Sequence, residues 1–252
     1  MRVQKGFSIV ELMVALLLGS LITLAATQLF LVNRQTENLQ GGVASIQDQG
    51  RFIFDYLSRD LMQAGHSSVT AIEPFVFSGH GGQVGTDGDR YDVLVLNVED
   101  GMDCLGGTGF TGIKKYHVNP ATKGLICAEY INDAGTWTAV NANSESLIDN
   151  VEAFQVLYGL DSDALGDTGY GEADIYVTSS HAESTDYRIV SVRFAILLGS
   201  DRPVGADKTL APETISVLDR SIGADSGVAL DDGRIFRVFA STVSLRNQMD
   251  EG

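Results

Sequence analysis

Basic residues are scarce in this chain: 17 Lys and Arg stand against 33 Asp and Glu, a net charge of -16 over 252 residues. Such a surface repels nucleic acid and anionic lipid, because phosphate contacts need Lys and Arg to displace counterions. No nucleic-acid partner is expected. Proline is rarer still, with 4 residues against 28 glycines, and none precedes Pro74. Nothing therefore interrupts a helix at the front of the chain, while the glycine excess further on fits loop-rich β structure rather than a disordered tail. Cysteine numbers 2 and histidine 4. Cys104 and Cys127 have no histidines at ligand spacing, which leaves zinc without a ligand set. His66, His117 and His181 are scattered as ordinary loop or strand residues. His80-Gly81-Gly82 resembles an oxyanion loop, but no G-x-S-x-G accompanies it. Gly107-Thr108-Gly109-Phe110-Thr111-Gly112 fits GxGxxG without any β-α-β context. No catalytic grouping and no internal repeat emerges, so an enzyme is not expected.

What the chain has is one long apolar run, GFSIVELMVALLLGSLITLAATQLFLV, from Gly6 to Val32. Residues 12–32 would form a helix of about 31 Å, which matches a hydrocarbon core of roughly 30 Å. One charge, Glu11, sits near its front. A carboxylate in such a segment is costly and marks a functional site. No A-x-A-like cleavage site follows Val32, so this is not an ordinary secretory signal. Arg2 and Lys5 place the N-terminus in the cytoplasm and the remainder outside the inner face. In that compartment Cys104 and Cys127 are expected to be bridged, a link worth roughly 3 kcal/mol in the chain-entropy picture. Two separate buried thiols are the alternative.

Beyond Val32 the apolar residues Leu39, Val43, Ile46, Ile53, Leu57 and Leu61 recur at helical spacing, which predicts an amphipathic continuation to Gly65. Gly65 suits a helix stop. Gly41-Gly42 is the expected weak point, since each glycine costs about 1 kcal/mol relative to alanine. Residues 66–252 alternate short apolar runs with turn residues, a β-domain pattern. Strands are expected at 91–98, 113–118, 124–131, 151–158, 174–178 and 188–198, with 234–246 a final strand or a helix. In 188–198 the alternation of Val190, Val192, Phe194 and Ile196 with Ser191, Arg193 and Ala195 predicts one buried face. The fold class is α+β, a long helix packed on a C-terminal antiparallel sheet.

Two stretches carry a family resemblance. Lys5-Gly6-Phe7-Ser8-Ile9-Val10-Glu11-Leu12-Met13 resembles the class III leader and N-terminal helix of type IV pilins and type II secretion pseudopilins. The resemblance implies that prepilin peptidase cuts after Gly6 and methylates the new amine of Phe7. It also maps the acidic residue of that motif onto Glu11, where a neighbouring subunit's N-terminal amine would neutralise it. The segment from Gln49 to Gly65, with Gly50-Arg51-Phe52 and Arg59-Asp60-Leu61-Met62-Gln63-Ala64-Gly65, is similar to PilW-type minor pilins. So is the closing Val238-Phe239-Ala240-Ser241-Thr242-Val243-Ser244-Leu245-Arg246-Asn247. These likenesses imply a leader at 1–6, a membrane and assembly helix at 7–32, its amphipathic continuation at 33–65, and a periplasmic or extracellular β-rich domain at 66–252. They imply a minor pilin that helps assemble, initiate or cap a type IV pilus. Its partners would be other minor and major pilins, the inner-membrane assembly platform and, before assembly, membrane lipid. A minor pseudopilin of a type II secretion system shares the same N-terminal logic.

A third reading is a calcium-dependent binding module. Asp161, Asp163, Gly166 and Glu172 fall at positions one, three, six and twelve of a D-x-[DN]-x-[DN]-G-x5-E loop, and Asp167 adds another oxygen donor. Leu165 departs from that pattern, and an acidic hairpin turn is the plainer alternative. Otherwise no cofactor is expected.

Overall fold

The computed structural model describes residues 6, 8–66, 72–77, 90–134, 136–140, 146–164, 166–205, 212–230 and 232–245. One helix, α1 (Ile9–Gln63), runs for 55 residues, or about 82 Å. Ser8 caps it in an extended conformation and Glu11 lies in its first turn. It ends where Ala64 turns extended and Gly65 takes φ +75°, a conformation glycine reaches without a Cβ penalty. The Gly65 N–H is then passed to the Asn97 carbonyl at 3.3 Å, which ties the helix end to the first strand.

Among the described residues, two antiparallel sheets and a hairpin complete the domain. The first sheet contains β1 (Leu94–Met102), β2 (Thr108–Asn119), β3 (Gly124–Asp133) and β4 (Thr136–Ala139) in that order, with β5 (Ser146–Ile148) also beside β3. The second contains β6 (Val151–Asp161), β7 (Ile175–Val177), β8 (Arg188–Gly199) and β11 (Phe236–Ser244), in the order β11-β8-β6-β7. A short helix, α2 (Ser179–Glu183), lies between β7 and β8. The hairpin β9 (Thr214–Val217) and β10 (Arg220–Gly223) precedes β11 in the chain. A parallel bridge links Tyr91, in the segment ahead of β1, to Phe154 of β6.

The main core lies between α1 and both sheets. Ile46, Ile53, Leu57 and Leu61 from the helix pack with Leu94, Leu96 and Tyr116 of the first sheet and Phe154, Phe194 and Ile196 of the second. Each such side chain contributes roughly 1.5–3 kcal/mol when withdrawn from water. A second, smaller core sits on the far face of the second sheet, where Ala153, Ala195 and Leu197 meet Val217, Ile222, Val228 and Leu230.

The expected architecture holds: a long helix packs on an antiparallel β domain. Several details differ. The β structure divides into two sheets and a hairpin rather than one sheet. β8 is buried on both faces over its second half, because the β9–β10 hairpin covers Ala195 and Leu197. The 234–246 segment is a strand, Phe236–Ser244, paired residue by residue with β8. Its last residue, Arg246, lies outside the described residues. β4, β5, β9 and β10 are too short to stand out from their polar surroundings. The domain also leaves Leu39 43% exposed, so the covered part of the apolar stripe begins above it.

Gly41 and Gly42 are both helical, and α1 passes through them unbroken. They play different parts. A Cβ on Gly41 would meet nothing within 4 Å, whereas one on Gly42 would stand 3.1 Å from Val204 and 3.3 Å from Ser200. Gly50 is tighter still, since a Cβ there would lie 2.4–2.6 Å from three atoms of the Phe239 ring on β11. The missing side chain lets the ring lie against the helix backbone. Gly50→Ala should therefore destabilise the protein by about 1–3 kcal/mol through overpacking. Gly41→Ala should be neutral or stabilise by up to about 1 kcal/mol. Urea midpoints of the two variants in detergent measure the contrast; equal effects would contradict it.

Candidate functional site

Three places combine polar chemistry with a defined setting: the exposed half of α1, the seam beneath its packed half, and the acidic turn after β6. The exposed half is apolar throughout, with a mean hydropathy of 2.3 in its most apolar window and none of that window buried by the rest of the chain. Its hydroxyls look after themselves. Ser20 donates to the Leu17 carbonyl, Thr23 to Gly19 and Thr27 to Thr23, each at 2.8 Å. Polar groups satisfied within their own helix can enter lipid or a packed helical bundle at little cost. Among the described residues Glu11 has no such internal partner. It is an exposed carboxylate in the first turn, where the unpaired N–H groups of a helix start favour negative charge. Gly6 is exposed, and a Cβ there would meet nothing within 4 Å among the described residues. Phe7 lies outside the described residues.

The seam is a buried polar network. Asp60 of α1 is 1% exposed, and its Oδ2 accepts a hydrogen bond from Lys114 Nζ at 2.8 Å and another from the Tyr116 hydroxyl. Asp60 Oδ1 finds no partner among the described residues. The Tyr56 hydroxyl donates to the Cys104 carbonyl at 2.9 Å, while Glu129 accepts from the Cys104 N–H. Cys104 is joined to Cys127 by a disulfide with Cα atoms 5.9 Å apart. Cys127 in turn stands opposite Tyr116 in the β2–β3 register. Helix, loop and sheet are thus linked through one cluster. Burial, reinforced by the nearby Asp60 carboxylate, pushes the Tyr56 phenol up to about 12 and the Tyr116 phenol well above its ordinary value. Both remain proton donors. Sealed under the helix, these groups act as structural ties rather than as reactive ones.

The acidic turn brings Asp161, Asp163 and Asp174 together, with one oxygen from each within 4.8 Å of the others. These are the described carboxylates that could hold a metal. Asp167 and Glu172 are not in the group: Asp167 accepts from the Ala164 N–H at 3.3 Å, and Glu172 is exposed. The calcium-loop pattern presumes flanking helices, and here the flanks are strands. β7 begins at Ile175, so Asp174 is the residue carried back across to Ser162, accepting from its N–H at 2.8 Å and its hydroxyl at 2.7 Å. Asp161 is the best-held member. Arg188 donates to its Oδ2 at 2.9 Å, the Gly171 N–H to the same oxygen at 2.8 Å and the Asp163 N–H to Oδ1 at 3.0 Å. The Arg188 guanidinium also lies 4.1 Å from the Tyr170 ring. A cation is therefore already built into the turn. Burial pushes the Asp161 carboxyl up, but the N–H groups of Gly171, Arg188 and Asp163 outweigh it and hold the carboxyl below the ordinary range.

The remaining motifs form no site. Gly109 and Gly112 belong to β2, with no helix following as a phosphate loop would need. His117 lies half-buried on the same strand and His181 on α2. His80-Gly81-Gly82 and Leu165 lie outside the described residues.

The family described as Type IV Pilus-assembly protein W matches residues 113–247, from the buried half of β2 through β11. The chain belongs to that family. The Prokaryotic N-terminal methylation motif matches residues 1–27, which include Gly6, Phe7 and Glu11. No curated protein matches. Among solved structures, a type IV-like pilin from Thermus thermophilus matches 81% of this chain and 96% of its own length, at 16% identity and a TM-score of 0.46. The two family matches make the chain a type IV pilin of PilW type, with a membrane-competent helix carrying a β domain.

Cys104 and Cys127 are bridged as expected, while sequence reading missed Asp60, Lys114, Asp174 and Arg188. A signal for Asp60 was present. Ile46, Gly50, Ile53, Leu57, Asp60 and Ala64 step by four and three, so one carboxylate and one glycine interrupt an otherwise apolar stripe. Lys114 has no comparable mark, because its partner lies 54 residues away.

This geometry sets two expected outcomes. Lys114→Met leaves the Asp60 carboxylate buried without its cation and should cost about 3–5 kcal/mol, while adding Asp60→Leu should recover most of the loss. A double-mutant cycle in urea measures both. For Asp161, a depressed folded pKa means that its stabilisation is present above the ordinary carboxylate range and is lost as pH falls through the folded value. Arg188→Gln should therefore flatten the loss of stability as pH falls below about 5. Urea midpoints across that range would show it, and an unchanged acid limb would contradict the pairing.

Proposed function

We propose that this chain is a minor pilin that initiates a type IV pilus or caps its tip or base. The observation that carries the reading is the split character of α1. Its first half is apolar, exposed and marked by one carboxylate, Glu11, while its second half is locked into a β domain. Such a helix suits two successive environments, a bilayer and a bundle of like helices. In the first, the subunit waits in the inner membrane with its β domain in the periplasm, as Arg2 and Lys5 favour. Prepilin peptidase then removes residues 1–6 and methylates the amine of Phe7.

In the second environment, Glu11 meets the terminal amine of a neighbouring pilin. An unpaired carboxylate in apolar surroundings is costly, and an opposite charge at close range offsets that cost. A head-to-tail pairing of this kind does not close on itself, so it propagates a fibre. Partners on this reading are major and minor pilins and the inner-membrane assembly platform. A minor pseudopilin of a type II secretion system would use the same helix; the PilW family match supports the pilus. A calcium-dependent adhesin built on Asp161, Asp163, Asp167 and Glu172 is the weaker reading, because Arg188 already supplies the turn with a cation.

Glu11→Val should leave the protein in the membrane fraction yet lower its recovery in sheared pili roughly tenfold or more, since about 1.4 kcal/mol of lost pairing is a factor of ten. The mature wild-type protein should begin at N-methyl-Phe7 by intact mass. Unimpaired incorporation of the variant, or a wild-type protein starting at Met1, would overturn the proposal.

A further inference from the structure

The face of the first sheet turned away from α1 carries two nitrogen groups that the described residues leave unanswered. Alternate residues of a strand share one face, about 6.6–6.8 Å apart. On β2, Lys114, Tyr116 and Val118 turn toward the helix and the main core. Ile113, Lys115 and His117 therefore line the opposite face. Lys115 is only 7% exposed, yet among the described residues its ammonium meets no carboxylate and makes no hydrogen bond. His117 Nδ1 is shut off from solvent and also has no hydrogen-bond partner.

Their neighbours by register supply no counter-charge. Lys115 stands opposite Val95 of β1 and Ala128 of β3, and His117 opposite Ile126 of β3. Asn97 and Tyr130 flank Ile113, the next residue along the same face. The next carboxylate on β1, Glu99, follows Asn97 and lies about 13 Å along the strand from Val95. Asp60 and Glu129 are on the helix side, where they hold Lys114 and the Cys104 N–H. Three other cations drawn out of water are matched: Lys114 by Asp60 at 2.8 Å, Arg188 by Asp161 at 2.9 Å and Arg234 by Glu152 at 2.7 Å. Lys115 departs from that pattern, in a chain of net charge -16. Burial pushes its ammonium below the ordinary pKa. Burial and the Lys115 charge do the same to His117, and the Lys115 backbone offsets only part of this. Covered polar groups without partners mark a place for a bound ion or ligand.

We propose that Lys115 and His117 form a binding site for a small organic acid, whose carboxylate bridges the Lys115 ammonium and the His117 imidazole. Two donors answer the two oxygens of one carboxylate. A sulfate or phosphate brings further oxygens and charge, and Val95, Ile113, Ile126 and Ala128 have nothing to offer them. A small free acid also reaches a pair so nearly covered, whereas the surface of a folded partner is held off. The site is independent of the pilus reading, because it lies on the face of the first sheet away from α1.

The test uses the full-length chain in uncharged detergent, with the disulfide intact. Histidine imidazoles are titrated by NMR in sodium acetate, sodium sulfate and sodium chloride at equal ionic strength, and His117→Gln assigns the His117 signal by its loss. A carboxylate beside an imidazole favours the charged form. Acetate should therefore raise the His117 midpoint by about one pH unit over chloride, while the exposed His66 and His181 stay where they are. Lys115→Met should abolish the acetate shift at His117; if that variant fails to fold, Lys115→Gln makes the same comparison. Equal His117 midpoints in acetate and chloride overturn the proposal without any variant. A shift shared by His66 and His181, or one that survives loss of the Lys115 charge, marks general salt association and overturns it too. A sulfate shift as large as the acetate shift overturns the choice of a carboxylate.

Discussion

The packing of α1 against the β sheets is the constraint on which the rest of the structure depends. Two features make that seam close. Gly50 removes the Cβ that would collide with the Phe239 ring, so β11 approaches the helix backbone itself. Asp60 then anchors the same face through Lys114 and Tyr116 of β2. One contact draws in the second sheet and the other the first. The disulfide and Tyr56 tie the β1–β2 loop to the same cluster. Buried ion pairs add little net stability compared with apolar packing, but they penalise every arrangement that separates the partners. The seam therefore specifies register as much as it supplies energy.

That register gives the helix its two lives. Below Gln35 the helix has no partner within the described residues, and its hydroxyls are satisfied internally. Above Gly42 it belongs to the domain core. The two halves are one continuous helix, Ile9–Gln63. The PilW family match runs from β2 through β11, and the methylation motif covers the first part of the helix, to residue 27. Each half thus carries its own mark of the same role.

How much of this was legible in the sequence depended on the range of the interaction. The apolar run, Glu11 and the helix stop at Gly65 rest on local chemistry, and they read directly. Long strands such as β6 and β8 announced themselves by apolar runs, although the alternation in β8 hid the second core, because Ala195 is small and its cover lies in the distant β9–β10 hairpin. The calcium-loop spacing named Asp161, Asp163, Asp167 and Glu172, whereas the strand pairing brings Asp174 rather than Asp167 and Glu172 beside the first two. Gly41 and Gly42 looked equivalent and are not, since only the second faces another part of the chain. Asp60 and Lys114 illustrate the general limit: a buried pair separated by 54 residues leaves at most one polar interruption in an apolar stripe.

Helix and domain form one cooperative unit, and native-state hydrogen exchange of the full-length protein in detergent tests this most directly. Amides from about Ile46 to Leu61 should exchange only with the global unfolding that also releases β6 and β8, because opening this part of the helix breaks the common core. If those helical amides exchanged well before the β-sheet amides, the helix would be a separable appendage, contradicting a shared core.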